Sequence, residues 1–477
     1  MQSYMTFLRK SVRAGCLLCL LVLGLFLTCF ATLSFAADAK SEAKKVFRVG
    51  IGICDVSPTD LPVPINGLFQ LRYYEKVHDP LNVRAIAVDD GTTQFDFATV
   101  DTGLFMEPFA NEIKRIVHEK TGFPIERISI SATHTHYTPT IPFGPRTSPQ
   151  SKYTWKVIDG GAQAIVMAIK NLQPANVGWA IGREPRHVFC RRILMKPGTA
   201  KSPNHEFTGS RGDMAQMNPG RGANNVMQTG IPDQSVYVLA FTTPDGKPLA
   251  VLANYSTHYA RCPNEISASY FGVFARKMAE LLKAPKDFLA IMTNGTSGDT
   301  NSSDFFDPNQ YNSNLDVMGN DVAQAAFKAY KTIEFKDWLP VTACQEKLTL
   351  AVRKPTAKQV ELAKAWLKEV KEKNKPFTLD DSYARRTISL STVEPTRTII
   401  LQTIRIGDMG ICTYPGEVFS FTGHDLRAYS PFKTTFVISH ANGNNGYLPT
   451  AEQFYLGGYT TWRGLHSKSF RLFSLPA

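Results

Sequence analysis

Cysteine is scarce in this chain. There are eight in 477 residues, and three of them, Cys16, Cys19 and Cys29, fall within the first 30. The other five, Cys54, Cys190, Cys262, Cys344 and Cys412, are an odd number and too few for a disulfide framework, so the fold must rest on burial. A chain of this length can bury enough apolar surface to do that. Past the N-terminus, no run approaches the roughly 18 uninterrupted apolar residues that span a bilayer. There is no dense Lys/Arg tract either. The formal charge of +12 is dispersed, and it drops further without Arg9, Lys10 and Arg13. That argues against nucleic acid as a partner and leaves room for peripheral contact with membrane lipid. Internal repeats and low-complexity segments are missing, and no shift in composition divides the chain into two folded domains.

The N-terminus carries an export signature. Arg9, Lys10 and Arg13 precede an apolar run from Cys16 to Phe30, and Ser34-Phe35-Ala36 supplies a small-residue cleavage pattern. Residues 1–36 are therefore expected to be a cleaved signal peptide, residues 37–45 a polar leader and residues 46–477 one catalytic domain, secreted or periplasmic. Cys29 follows Phe26-Leu27-Thr28, which lacks the small residue that precedes a lipoprotein cysteine, so no lipid anchor is expected.

The mature chain reads as α/β (α+β), with central mixed β-sheets flanked by helices. The pattern predicts a strand over 46–53, then a hairpin of 83–88 with 95–100 through Asp89-Asp90-Gly91. A second hairpin pairs 236–241 with 249–254 across Pro244-Asp245-Gly246. Helices are expected over 106–121, 155–172 and 357–373, the last capped by Thr356 and lying on the surface. Between Lys196 and Asp233 the composition turns to Gly, Pro, Asn and Met without periodicity, which predicts a long loop.

The chemistry gathers where apolar runs end. Ile128 to Ala132 runs into His134-Thr135-His136, and residues two apart on an extended strand face the same way, so both imidazoles can look into one pocket. Five other runs end similarly: 95–100 at Asp101; 249–254 at Thr257-His258; 288–292 at the loop Asn294 to Asp299; 409–413 at Tyr414-Pro415-Gly416-Glu417; and 434–438 at His440 and the turn leading to Tyr447. Ligands collect where strand carboxyl ends open into loops. Two imidazoles and a carboxylate, with one position left for water, form the donor set of catalytic zinc, and His134, His258 and Glu417 are the candidates. Zinc polarises a carbonyl and lowers the pKa of bound water towards ~7, so an amide can be attacked without a protein nucleophile. Ser297, between glycines after an apolar run, offers a serine-nucleophile alternative, but Gly298 follows it directly and the G-x-S-x-G spacing is absent.

In order and setting, the segments Ser131-Ala132-Thr133-His134-Thr135-His136, Asn254-Tyr255-Ser256-Thr257-His258, Gly298-Asp299, Tyr414-Pro415-Gly416-Glu417 and Gly446-Tyr447 resemble the N-terminal catalytic domain of the neutral ceramidases over roughly residues 46–465. The resemblance implies a zinc amidase that cleaves the N-acyl bond of a sphingolipid-like substrate, with Zn2+ bound by His134, His258, Glu417 and Tyr447. It also implies catalytic roles for His136, Arg191 and Asp299, and a substrate surface formed by Arg191, Gly295, Thr296 and Ser297. The β-sandwich domain that follows in neutral ceramidases is not expected here. The substrate is thus expected to be a lipid amide or another small molecule. The alternatives are a metal-dependent esterase or amidase acting on a soluble small substrate, and a non-catalytic secreted binding protein derived from the family.

Overall fold

A computed structural model describes residues 45–65, 72–202, 205–210, 212–311, 313–372 and 378–462. The expected signal peptide and all of the leader except Lys45 lie outside the described residues.

Three sheets organise the chain. The first takes β1 (Arg48–Asp55), β2 (Asn82–Asp89), β3 (Gln94–Val100), β4 (Ile128–Ala132) and β5 (Gln173–Pro174) in the order β4-β3-β2-β1-β5. The second orders β6 (Asn176–Arg183), β7 (Ser235–Thr242), β8 (Pro248–Tyr255) and β9 (Leu289–Asn294) as β9-β8-β7-β6. The third runs β10 (Val341–Ala351), β11 (Thr396–Ile406), β12 (Met409–Thr413), β13 (Thr434–Ile438). Helices α1 (Glu107–Thr121) and α2 (Lys152–Lys170) cover one face of the first sheet; α3 (Ser269–Leu282) and α4 (Leu315–Tyr330) cover one face of the second. The opposite faces meet in a shared core of Val49, Ile86 and Phe97 from the first sheet, Leu239 and Leu252 from the second, and Ile404, Ile411 and Phe436 from the third. The layers therefore run helix, sheet, sheet, helix. This is the mixed α/β architecture expected from the sequence.

Local chemistry explains the joints. The β2–β3 turn closes because Asp90 Oδ1 accepts from the backbone N–H groups of Thr92 and Thr93 at 2.7 and 2.6 Å, and Gly91 takes φ +86° without a Cβ to clash. Gly50 and Gly52 let α2 lie directly on β1: a Cβ at either would stand 2.0 Å from the carbonyl oxygen of Ala168 or Ala164. Helices α5 (Ala357–Glu372) and α6 (Leu379–Thr392) form an outer pair; α5 buries only Ala363, in keeping with the surface helix expected. Thr378 and Asp381 close a reciprocal capping box at the start of α6. Thr378→Ala should lower stability by about 1 kcal/mol in urea unfolding, with little change in the denaturant slope.

The segment 196–233 departs from the expected loop. Ala215–Met217 and Asn225–Gln228 are short strands that flank Arg192–Met195 on either side, making a three-stranded sheet. Runs of three and four residues are too brief to show alternation. The buried Arg192 guanidinium fixes this wrap by donating to Gln453 Oε1 at 2.8 Å, Thr460 Oγ1 at 2.6 Å and the Gly457 carbonyl at 2.6 Å.

In each large sheet, one neighbouring pair is parallel and is joined by a helix. These are β3–β4 through α1, β8–β9 through α3, and β12–β13 through α7 (Ser420–Tyr429). Their carboxyl ends interlock: Ser439 N–H donates to Asn294 O at 2.9 Å, Asn294 Nδ2 to Thr133 O at 3.2 Å, and Asn442 N–H to Ile130 O at 2.7 Å. Three crossover units from three sheets therefore open towards one place.

Candidate metal centre

His134 follows β4 at φ +63°, a left-handed conformation that turns its ring back towards the strand ends. Its Nδ1 is 2.5 Å from the Gly103 carbonyl. A carbonyl can only accept, so Nδ1 carries the proton and Nε2 presents a lone pair if the ring is neutral. Burial lowers the pKa of His134 and drives those of His136, His258 and His440 well below the usual histidine value, which favours neutral rings.

Glu417 opens a two-residue strand paired in parallel with Tyr447-Leu448, which sets Glu417 beside Tyr447. Its Oε2 stands 3.7 Å from His134 Nε2 and 3.3 Å from His258 Nε2, with all three side chains buried. Ligand atoms of these three residues all lie within 4.8 Å of one another. Burial opposes ionisation of Glu417, but positive charge facing it, that of Arg191 included, and a hydrogen bond with Tyr447 hold the carboxylate below its ordinary value. Unprotonated ring nitrogens and an ionised carboxylate converging in a dry site repel each other unless a cation lies among them. The donor set therefore fits a metal ion, with the second ring nitrogen of His134 anchored by a backbone carbonyl in the manner of metal-binding histidines.

Arg191 completes the group. Its backbone N–H donates to Asp299 O at 2.8 Å, and its Nη2 reaches the Gly298 carbonyl at 2.9 Å, Tyr447 Oη at 3.3 Å and Glu417 Oε2 at 3.5 Å. Burial would favour the neutral guanidine, but Tyr447 and Glu417 beside it keep the cation. Burial, reinforced by Glu417, pushes the Tyr447 phenol well above its usual range. His136 packs its ring on Tyr259 at 4.1 Å and brings Nε2 to 3.2 Å from His134 Nε2.

The structure thus gathers His134, His136, His258, Glu417, Tyr447 and Arg191 around one point. The other residues named from the sequence belong to the frame. The Asp299 carboxylate accepts from Ser420 N–H and Oγ at 2.8 and 2.7 Å, so it secures the start of α7, while its carbonyl holds Arg191. Gly295 has no room for a side chain: a Cβ there would lie 2.5 Å from Ser256 Oγ. Thr296 bonds Ser256 and packs against Gly423, and Ser297 is fully buried with no hydrogen-bond partner for its Oγ among the described residues. Among the described residues, no imidazole is hydrogen-bonded to that hydroxyl.

Two residues come to the site that the sequence left without a role. Tyr459 stands edge-on to Tyr447 with ring centres 5.8 Å apart. His440 stacks on His134 at 4.1 Å and 19°. The apolar run of 434–438 marks His440 without giving it a role; the approach of Tyr459 depends on the Arg192 anchorage, which no local pattern reveals.

No protein-family model matches this sequence. Among solved structures, the chain is similar to the neutral ceramidase from Pseudomonas aeruginosa, with a TM-score of 0.63 and 17% identity over 89% of this chain and 72% of that one. It is also similar to a ceramidase complexed with C2, with a TM-score of 0.65 and 14% identity over 89% and 73% of the two chains. The chain has the neutral ceramidase fold. At such low identity the likeness concerns backbone architecture. Within the ceramidase fold, the three parallel crossover pairs are what carry His134, His258 and Glu417 to a common point.

Proposed function

We propose that this chain is an exported, zinc-dependent hydrolase of C–N amide bonds that releases a fatty acid from an N-acyl lipid such as an N-acylsphingosine. The observation that carries the reading is the buried convergence of His134, His258 and Glu417, a donor set that fits a metal ion, on a backbone shared with ceramidases. Support for the substrate comes from the second of those structures, which holds C2. Support for export comes from the N-terminal signature, with the product secreted or periplasmic. No helix among the described residues is long and apolar enough to cross a membrane.

His134, His258, Glu417 and Tyr447 would hold the ion, which supplies a Lewis acid for the amide carbonyl and an acidified water as nucleophile. The protein does the rest. Arg191, kept cationic between Glu417 and Tyr447, places positive charge where the carbonyl oxygen becomes negative. His136, kept neutral by burial, offers a ring nitrogen beside the ligands to take and return a proton. Asp299 holds Arg191 through the backbone and keeps it in register.

Metal analysis of purified protein should find about one zinc per chain. A chelator should reduce fatty acid release from N-acylsphingosines by at least ~100-fold, and added zinc should restore it. A panel of short N-acyl amino acids and esters, assayed in parallel, should be poorer substrates. Full hydrolysis after verified metal removal would rule the reading out.

A further inference from the structure

The first sheet has a second pole, where four of its strands bring one end together. Arg48 opens β1 opposite Asp89 at the close of β2, Gln94 opens β3 beside Asp89, and Arg127 stands directly before β4. At about 3.3 Å per residue, the length of β3 puts this end ~20 Å from Asp101 and the metal centre. Arg48, Asp89, Arg127 and the turn residues Thr92 and Thr93 line a cavity of about 300 Å³ there. Arg127 is the member whose chemistry the fold leaves open. Its guanidinium makes no hydrogen bond or ion pair among the described residues, and its Nη1 is buried without a partner. The backbone holds it in place: Arg127 N–H donates to Pro124 O at 3.0 Å, and Gln402 Nε2 donates to the flanking carbonyls of Glu126 and Ile128 at 3.0 and 3.1 Å. A guanidinium stays charged at every working pH, and partial withdrawal from water without a counter-charge is costly.

The one carboxylate in the lining does not supply that counter-charge. Asp89 is 1% exposed, and its oxygens are taken: Oδ2 accepts from Arg48 Nη2 at 2.5 Å and Gln94 Nε2 at 2.9 Å, and Oδ1 accepts from Gly91 N–H at 2.7 Å. Two guanidinium groups against one carboxylate leave one positive charge in the lining. Donors remain as well. Thr92 and Thr93 give their backbone N–H groups to Asp90, while their hydroxyls bond nothing among the described residues. Arg48 keeps N–H groups beyond the one it gives to Asp89, on a side chain that is 43% exposed. Surplus positive charge with hydroxyl and guanidinium donors complements an anion that offers several oxygens, and a phosphate group offers more of them than a carboxylate does. The volume lies at the lower end of small-molecule sites, room for a phosphate and a small alcohol esterified to it.

We propose that this cavity is a phosphate-binding site, separate from the metal centre, that takes inorganic phosphate or the phosphomonoester end of a larger molecule, with Arg127 as its anchoring cation. The test titrates zinc-loaded wild type, Arg127→Met and Arg127→Lys with inorganic phosphate and with glycerol 3-phosphate. Chloride holds the ionic strength constant, and binding is read as the rise in Tm of each protein above its own phosphate-free value. Losing the charge-assisted hydrogen bonds of one arginine should weaken binding at least ~10-fold in Arg127→Met, with an intermediate value in Arg127→Lys. The same ratio should hold after chelation, because phosphate held by zinc would be lost with the metal. Flotation with phosphatidylcholine vesicles, with and without phosphatidic acid, identifies the source of the phosphate. Binding to phosphatidic acid that Arg127→Met abolishes makes it a lipid headgroup; a response to the soluble compounds alone makes it a free ion or small ester. No Tm rise and no vesicle binding in the wild type, an equal response in Arg127→Met, or a response that disappears with the zinc overturns the proposal. Hydrolysis enters none of these readouts, so failure of the amide-hydrolase reading leaves the test intact.

Discussion

Glu417→Gln should bind zinc at least ~100-fold more weakly and lower kcat/KM for amide hydrolysis by at least ~1,000-fold, with the fold intact by circular dichroism. The substitution keeps the shape and removes the charge. Two consequences follow from the distances. The imidazole nitrogens of His134 and His258 lose the anion that makes their convergence favourable to a cation, and Arg191, 3.5 Å away, loses its counter-charge. Truncating one member of a buried charge group leaves the others uncompensated, which is why a neutral isostere is enough. His134→Ala should give the same two losses by removing a nitrogen donor directly. Ser297→Ala provides the contrast, because its hydroxyl has no hydrogen-bonded base among the described residues. It should retain hydrolysis within about tenfold, whereas a serine-nucleophile mechanism predicts near-total loss. Zinc content by inductively coupled plasma analysis and kcat/KM on one N-acylsphingosine decide among these outcomes. A fully active Glu417→Gln protein would remove the metal centre from the chemistry.

The elements that bring these residues together were legible wherever local chemistry dictates them. The Asp90-Gly91 and Asp245-Gly246 turns announce the two hairpins, and 409–413 and 434–438 are strands with the bounds the pattern gives. Strand ends followed by His134, His258 and Glu417 marked the candidate site because side chains there face an opening and not a core. Pairing was not legible. Nothing in the alternation of β10 (burial concentrated at Val341, the rest largely exposed) distinguishes an eleven-residue strand of a long hairpin from a solvated segment, and its partner β11 lies beyond two helices. The inward turn of His134 and His440 depends on positive φ values that sequence pattern does not encode for histidine. The resemblance implies a substrate surface at Gly295, Thr296 and Ser297, and the structure packs this loop between Ser256 and the Glu417 strand, where Gly298 has backbone oxygens within 2.9 Å of any Cβ. Glycine there answers to packing, which composition alone cannot separate from ligand access.

Lys114→Met should stabilise the protein by about 2–4 kcal/mol at pH 7, and the gain should vanish as pH approaches 10.5. Lys114 lies on α1 at 1% exposure among the apolar residues that pack this helix on the first sheet. Burial lowers its pKa from 10.5 to about 7, only partly opposed by Glu126 and Glu107. The folded state therefore binds this proton less tightly than the unfolded chain does. Above pH 10.5 the amine is neutral in both states and the group contributes nothing. As pH falls from 10.5 towards 7, the unfolded chain gains the proton and the folded protein does not, so stability declines. Below about 7 both states are protonated, and the penalty is constant at its full size. A shift of this size corresponds to roughly 5 kcal/mol at ~1.36 kcal/mol per unit, an upper bound that local relaxation and water reduce. Methionine keeps an unbranched stem of similar length for the core and removes the ionisable group. Urea midpoints at pH 6, 7, 9 and 10.5 should show the wild type gaining on the variant at each step above 7. A constant difference across that range would show that packing, and not proton linkage, governs the position.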